Sequence, residues 1–431
     1  MPLVSRSLST ATLILALLAL LALLALSAAA HADDSDALAL ESAPVTEARS
    51  AAHPTRVFIE ATVGRIGQRY GLAALDAHRL SIDFVHQMPL PGGWRAVLSD
   101  RLDNSRPAGA GTPATLNSLR EAYASWQNDG GNTLVELGRI NLRNGPAYGY
   151  NPTDYFRDGA LRSVTTADPL ALRENRLGTV MLRAQQIWAG GAVSLALAPK
   201  LADGPNSGSF SADIGSTNAR NRALASWSTR LSDGISTQLL VLGDQGRGTQ
   251  LGASATALLS DAAVAHVEAS RGRSANLLAD TLGSARAAQT RNRLATGLTY
   301  TLPTGLALTA EFDYNGAAPD STAWQAAAAA GGPALLGRYL QAVQVRQESA
   351  SRRAWLLYAN QKDVLWKSLD FTGLLRINAD DHSRLAWVEL RYHWGQADVA
   401  LQWQRTLGQA LSEYGVLPYR QALQVLGAWY F

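Results

Sequence analysis

The reading turns on residues 421–431, QALQVLGAWYF, in which Leu423, Val425, Trp429 and Phe431 occupy one side of an extended segment, with Gly427 in the same row. Period-two alternation marks a strand, because successive side chains of a strand point to opposite faces. A soluble domain ending on an exposed Trp-Tyr-Phe would carry the sticky edge that natural sheets avoid. A strand facing lipid requires that same row, since one face meets hydrocarbon and aromatics sit at the interface with water. The other reading of this stretch is the buried last strand of a soluble sandwich.

Working back from it, the chain from Thr55 onward falls into segments of about ten residues with the same alternation, separated by turn chemistry. Eighteen are predicted: 55–64, 75–87, 93–103, 117–127, 133–143, 175–188, 192–199, 221–231, 235–243, 249–259, 262–271, 291–302, 305–315, 352–360, 365–378, 384–394, 398–407 and 420–431. Sixteen is the alternative count. Alternate connections differ in length. One set is short, as in Pro91-Gly92-Gly93, Asp129-Gly130-Gly131 and Pro303-Thr304-Gly305, whereas the other includes 104–116, 144–174, 200–220, 272–290, 316–351 and 408–419. Short turns on one face and long loops on the other are the plan of a transmembrane antiparallel β-barrel, with both termini on the short-turn side.

Two further patterns agree. Trp94, Trp126, Trp188, Tyr392, Trp394, Trp429 and Phe431 all fall at strand ends on the short-turn side, with Phe312, Tyr314 and Trp355 at the opposite rim, as interfacial aromatic girdles would. In the hairpin 294–314, Leu294, Leu298, Leu308 and Phe312 share one wall, while Asn292, Thr309, Glu311 and Asp313 are assigned to a wet face. Extending that phase puts Arg79, Arg95, Arg101, Arg183, Glu311, Asp313, Arg376, Glu389 and Arg391 on a polar inner wall, together with His266, Glu268 and His393. A barrel of this size leaves aqueous space inside, so a pore is expected.

The N-terminus supplies a route. Arg6, the apolar run 11–26 and Ala30-His31-Ala32 read as a cleavable signal peptide over residues 1–32, a membrane-anchoring helix being the competing reading. Residues 33–54 read as a flexible lead-in, and no other stretch is long and apolar enough for a membrane helix. Charged residues make up 17% of the chain, there is no cysteine, and only three of the 38 basic residues are lysine. The absence of Cys excludes disulfides and thiolate chemistry. Near-balanced charge, a formal +3, with no basic cluster on one element argues against nucleic-acid binding.

Between the fifth and sixth strands, residues 144–174 carry Gly145-Pro146, Asn151-Pro152 and Asp168-Pro169, each fixing a turn, along with Tyr148, Tyr150, Tyr155 and Phe156 to pack against a wall. Asp154 can accept backbone amides of its turn. The segment therefore reads as an ordered loop, folded into the lumen as a constriction or capping the outer mouth, with Asn151, Pro152, Asp154 and Tyr155 as its fixed points. Residues 316–351 hold an alanine run followed by Leu336, Tyr339, Leu340 and Val343, which suits one or two short helices, either a second lid or an exposed surface loop.

The run LVELGRINLRNGPAYGYNPTDYFR, residues 134–157, together with Phe431, resembles Gram-negative outer-membrane channel families of the porin-like and alginate-export type. The specific likeness covers residues 116–200 and the remainder follows the barrel pattern. It implies a loop anchor near the pore at Arg139, Asn151, Pro152 and Asp154, with a bulge at Gly138 suggested by the phase change there. It further implies that Trp429 and Phe431 form the signal read by the barrel-assembly machinery, and that the chain lives in the bacterial outer membrane among its lipids. The dense basic tract of an alginate conduit is missing.

No hydrolase, metalloprotease, phosphate-binding or dinucleotide motif occurs in a credible setting, and the seven histidines form no metal-spaced pair. The expectation is a channel, not an enzyme, with no cofactor or metal. It passes small or medium polar solutes, with a preference for anions, through an Arg-lined lumen. The alternatives are a polymer (exopolysaccharide) export barrel and a sealed structural or adhesion barrel.

Overall fold

The computed structural model describes residues 54–108, 113–283 and 288–431. The expected signal peptide and nearly all of the lead-in lie outside the described residues. The strands are Thr55–Gln68 (β1), Leu75–Leu90 (β2), Trp94–Arg106 (β3), Thr115–Gln127 (β4), Thr133–Ile140 (β5) and Thr179–Trp188 (β6). Then come Gly191–Ala198 (β7), Arg222–Ser232 (β8), Ile235–Asp244 (β9), Gly248–Ser260 (β10), Ala263–Ser274 (β11) and Gln289–Thr301 (β12). Ala307–Asn315 (β13), Arg353–Gln361 (β14), Leu369–Asn378 (β15), Arg384–Trp394 (β16), Ala397–Leu407 (β17) and Tyr419–Tyr430 (β18) complete the set. Every one overlaps a predicted segment. Each pairs antiparallel with its neighbour in sequence, and β18 returns to β1 with Phe58 opposite Tyr430, so the sheet closes and has no free edge.

Closure follows from the alternation. On β18, Leu423 (51% exposed), Val425 (46%) and Trp429 (51%) stand on the outer wall, while Leu426 and Ala428 between them are buried. On β13, Glu311 and Asp313 are fully buried and the outward Leu308 is exposed. Asn292, assigned above to the wet face, is exposed and shares the outward row of Thr296 and Leu298, because an even number of residues separates them. No helix among the described residues is long and apolar enough to cross a membrane, so the strands do the crossing in this transmembrane β-barrel.

The inner wall is not wet everywhere. Met181, Leu224, Leu240 and Leu242 face inward on β6, β8 and β9 and bury Ile140 at the end of β5 and Phe156 of the long connection that follows it. Among the described residues, four helices lie in the long connections: Pro169–Glu174 (α1), Ile214–Thr217 (α2), Leu277–Thr281 (α3) and Ser321–Arg346 (α4). The α4 helix is two helices joined at a kink, where Gly332 takes φ +55° and Pro333 has no N–H to donate. Its Trp324, Leu336 and Tyr339 pack with Leu277, Leu278 and Val416 in a dry cluster over the long-loop mouth, which makes this segment a cap.

Candidate functional site

Residues 141–178 leave the rim between β5 and β6 and turn back into the barrel. Amides that leave a sheet lose their ladder partners and need other acceptors. Two wall carboxylates supply them. Glu268 on β11 accepts from the Thr153 N–H (2.7 Å), the Thr153 hydroxyl (2.7 Å) and the Ala147 N–H (3.3 Å). Glu311 on β13 accepts from the N–H groups of Tyr148 (2.7 Å), Gly149 (2.7 Å) and Tyr150 (3.3 Å), and His266 approaches its far oxygen at 3.0 Å. Arg376 on β15 donates to the Gly149 carbonyl (2.9 Å) and pairs with Asp313 (3.4 Å). On the opposite wall, Arg79 on β2 donates to the Thr165 carbonyl (3.0 Å). The segment thus spans the lumen from one side to the other. Gly145 shows how tight the clamp is: it sits at φ +86°, and a Cβ there would lie 2.2 Å from the Glu268 carboxylate.

The segment is also braced internally. Asp154 is fully buried and takes Arg176 (2.5 Å) and Arg173 (3.5 Å) as partners, rather than the turn amides expected from its position. Burial pushes its carboxyl up, but the two guanidiniums outweigh this and hold it below the usual carboxylate range. Asp168 caps α1 by accepting from the Leu170 N–H (3.1 Å), and burial pushes its carboxyl up to about 6. Glu348, beyond the end of α4, accepts from the Tyr150 hydroxyl (2.8 Å) and pairs with Arg157 (3.0 Å), so the cap and the constriction are joined.

Arg139 is buried, donating to the carbonyls of Gly178 (2.9 Å) and Ala212, and so ties the foot of the segment to the neighbouring loop. The bulge suggested at Gly138 is absent: both neighbouring registers run through it unbroken. Gly138 instead takes φ +136°, and a Cβ there would strike the Ala122 carbonyl, so glycine lets the strands approach while the phase changes.

The other expected lumen residues divide. Arg79 and Arg101 pair with Glu60 (2.7 and 3.0 Å), Arg183 with Glu136 (2.9 Å), and Arg391 with Glu389 (2.8 Å). Arg95 is exposed and joins no ion pair among the described residues. The charge of the inner wall is therefore largely neutralised pair by pair. Asn151, Pro152, Asp154 and Tyr155 lie together in the inward segment, and all but Tyr155 are buried. Trp429 and Phe431 stand on the outer wall at the short-turn rim, away from the lumen.

Sequence reasoning put Glu268 on the wall but missed it as a clamp. It also missed Arg222, whose guanidinium covers the Phe156 ring at 4.5 Å, and Arg120, which a bulge in β4 frees to fork onto Asp83 (2.7 and 2.8 Å). Parity had already turned Glu268 inward, and nothing local foretells its partners or the other two. His393 lies between Asp398 (2.6 Å) and Asp370 (3.1 Å), so both ring nitrogens are engaged in a wall network. Among the described residues no group of His, Asp and Glu is arranged to hold a metal ion.

No family model matches the chain, and no curated protein matches it in sequence. Among solved structures, a variant of Rhodopseudomonas blastica porin aligns over 88% of this chain and 99% of its own at 10% identity, with a TM-score of 0.43. OccAB1 of Acinetobacter baumannii aligns over 88% of this chain and 96% of its own, also at 10% identity, with a TM-score of 0.57. The fold is a closed β-barrel like that of OccAB1. At this identity the likeness to OccAB1 is one of fold, and no residue role passes with it. In this barrel the inward segment and the two carboxylates that hold it form the candidate site.

Proposed function

We propose that the protein is an outer-membrane channel for small polar solutes, with its termini on the periplasmic side and residues 141–178 setting its bore. The observation that carries this reading is the segment clamped across the lumen by Glu268 and Glu311. A wall that spends two buried carboxylates on holding a loop inward is suited to narrowing an aqueous path. A wide polymer conduit would leave that path clear. Wall charge inside a narrow, low-dielectric passage focuses ions of opposite sign. Because most wall arginines are paired, the anion preference falls to Arg95 on the wall and to Arg143 at the start of the segment, which with Arg183, Gln185 and Ser194 lines a polar recess. The lipid-facing outer row and the aromatic rim support placement in the membrane, with assembly through Trp429 and Phe431. The test is planar-bilayer recording of the refolded chain under a salt gradient. Discrete conductance with a small anion-selective reversal potential, reduced in R95Q, is expected. A folded barrel that never conducts would favour a sealed structural role.

A further inference from the structure

The two ends of the outer wall differ in chemistry. At the short-turn end the outward rows finish in Trp94, Tyr392, Trp394 and Trp429. Near the long-loop end several outward rows carry cations: Arg384 on β16, Arg405 on β17 with Leu407 beyond it, Arg65 on β1, and His78 with Arg106 on β2 and β3. Four of the five are next to an apolar residue of the same outward row, as Arg65 follows Val63 and Arg405 follows Trp403; Arg106 follows Asn104. Register joins them into an arc. Arg405 lies opposite Ala386, two residues from Arg384, and opposite Gln421 on β18, while His78 lies opposite both Val63 and Arg106. Asp76, opposite Arg65, is the acidic residue in the arc, and none of the four arginines forms an ion pair among the described residues.

Arg384 and Trp394 face the same way, ten residues apart on one strand. That is about 33 Å along the strand, or about 25 Å along the normal at a tilt near 40°, the height of the apolar band of such barrels. The tryptophan marks one interface and the arginine the other. We propose that this arc binds the phosphate of anionic lipid headgroups in the leaflet at the long-loop face. Guanidinium forks match phosphate in a bidentate way, and their placement level with headgroups selects a lipid over a solute. Strands about 4.8 Å apart set the guanidiniums at a spacing that lets one headgroup with several phosphates meet two of them. The proposal uses the membrane placement above but not the channel activity.

The test compares the intact chain with R65Q/R384Q/R405Q and with the matching triple lysine variant. Each is refolded in a neutral detergent and mixed with a lipid bearing two phosphates or with its dephosphorylated form, and native mass spectrometry counts the lipids retained. At least tenfold better retention of the phosphorylated lipid is expected, lost in the glutamine variant, partly restored in the lysine variant and weakened by salt. Equal retention of both lipids, or retention unchanged in the glutamine variant, overturns the proposal. So does displacement of the lipid by equimolar inorganic phosphate, which would mean a simple anion site. Conductance recorded on the same samples separates the two readings: a variant that conducts like the intact chain yet loses the lipid upholds both, and an intact chain that conducts without lipid preference overturns only this one.

Discussion

The two long connections that close down the barrel are held by opposite means. Residues 141–178, inside the lumen, are fixed by polar and charged groups: Glu268 and Glu311 on their amides, and Arg173 and Arg176 on Asp154. Residues 316–352, over the mouth, are fixed by Trp324, Leu336 and Tyr339 in a cluster that excludes water. A strand wall whose outer face is committed to lipid has mostly polar groups to offer inside, so a segment drawn into the lumen must be held by charge. A segment resting on other loops can build its own small apolar core. They are bridged at the end of α4: Glu348 takes Tyr150 and Arg157, Gln347 accepts from Arg176 and donates to the Arg157 carbonyl, and the Val345 carbonyl accepts from the Gly159 N–H.

The largest effect that would break this contrast is expected at Asp154. D154N leaves Arg176 and Arg173 buried against a neutral group, and loss of one partner of a buried pair costs about 4 kcal/mol. Trypsin should then cut the folded barrel at Arg157 to Arg176, sites protected in the parent, while the cap stays resistant. L336A should do the converse. Truncating a fully buried leucine costs about 3 kcal/mol, and proteolysis should move to α4 with conductance little altered. E311Q keeps the shape of the clamp but removes its charge, at about 2 kcal/mol. Open-channel noise should rise as the segment works loose.

The smallest and sharpest comparison is one of pH. Glu413, buried in the loop before β18 and bonded to Asn378 (2.9 Å), is pushed by burial up to about 7. Its folded value lies above the unfolded one, near about 4.3. The native state therefore holds more protons in that window, and cap stability should fall as pH rises from about 4.5 to 7. E413Q should flatten that slope in a hydrogen-exchange series. Asp154, held low by its arginines, has the opposite sign: its contribution is present above the ordinary aspartate range and is lost as pH falls through its depressed value. Mild acid should thus tighten the cap, and only acid strong enough to reach the depressed value of Asp154 should loosen the inward segment.

The strands were legible because a closed wall between lipid and water forces apolar and polar residues to alternate, and that signal survives without any partner being known. The clamp was not. Glu268 and Glu311 carry the same inward phase as residues that meet only their strand neighbours, and only the fold brings them to 147–153. Local chemistry flagged the segment as ordered through its prolines but misassigned Asp154, whose partners lie some twenty residues on. The dry patch escaped notice for a different reason. β9, ISTQLLVLGD, is apolar on both faces, with Leu240 and Leu242 inward and Leu239 and Val241 outward, so alternation there gives no phase.

The claim beneath all of this is that residues 141–178 obstruct a water-filled lumen. Single-channel conductance of the intact chain, set beside a version in which residues 146–172 are replaced by a short Gly-Ser link, measures that obstruction directly. A several-fold larger conductance in the shortened barrel, with its heat-modifiable folded form retained, is the predicted result. Equal conductance in the two would contradict it.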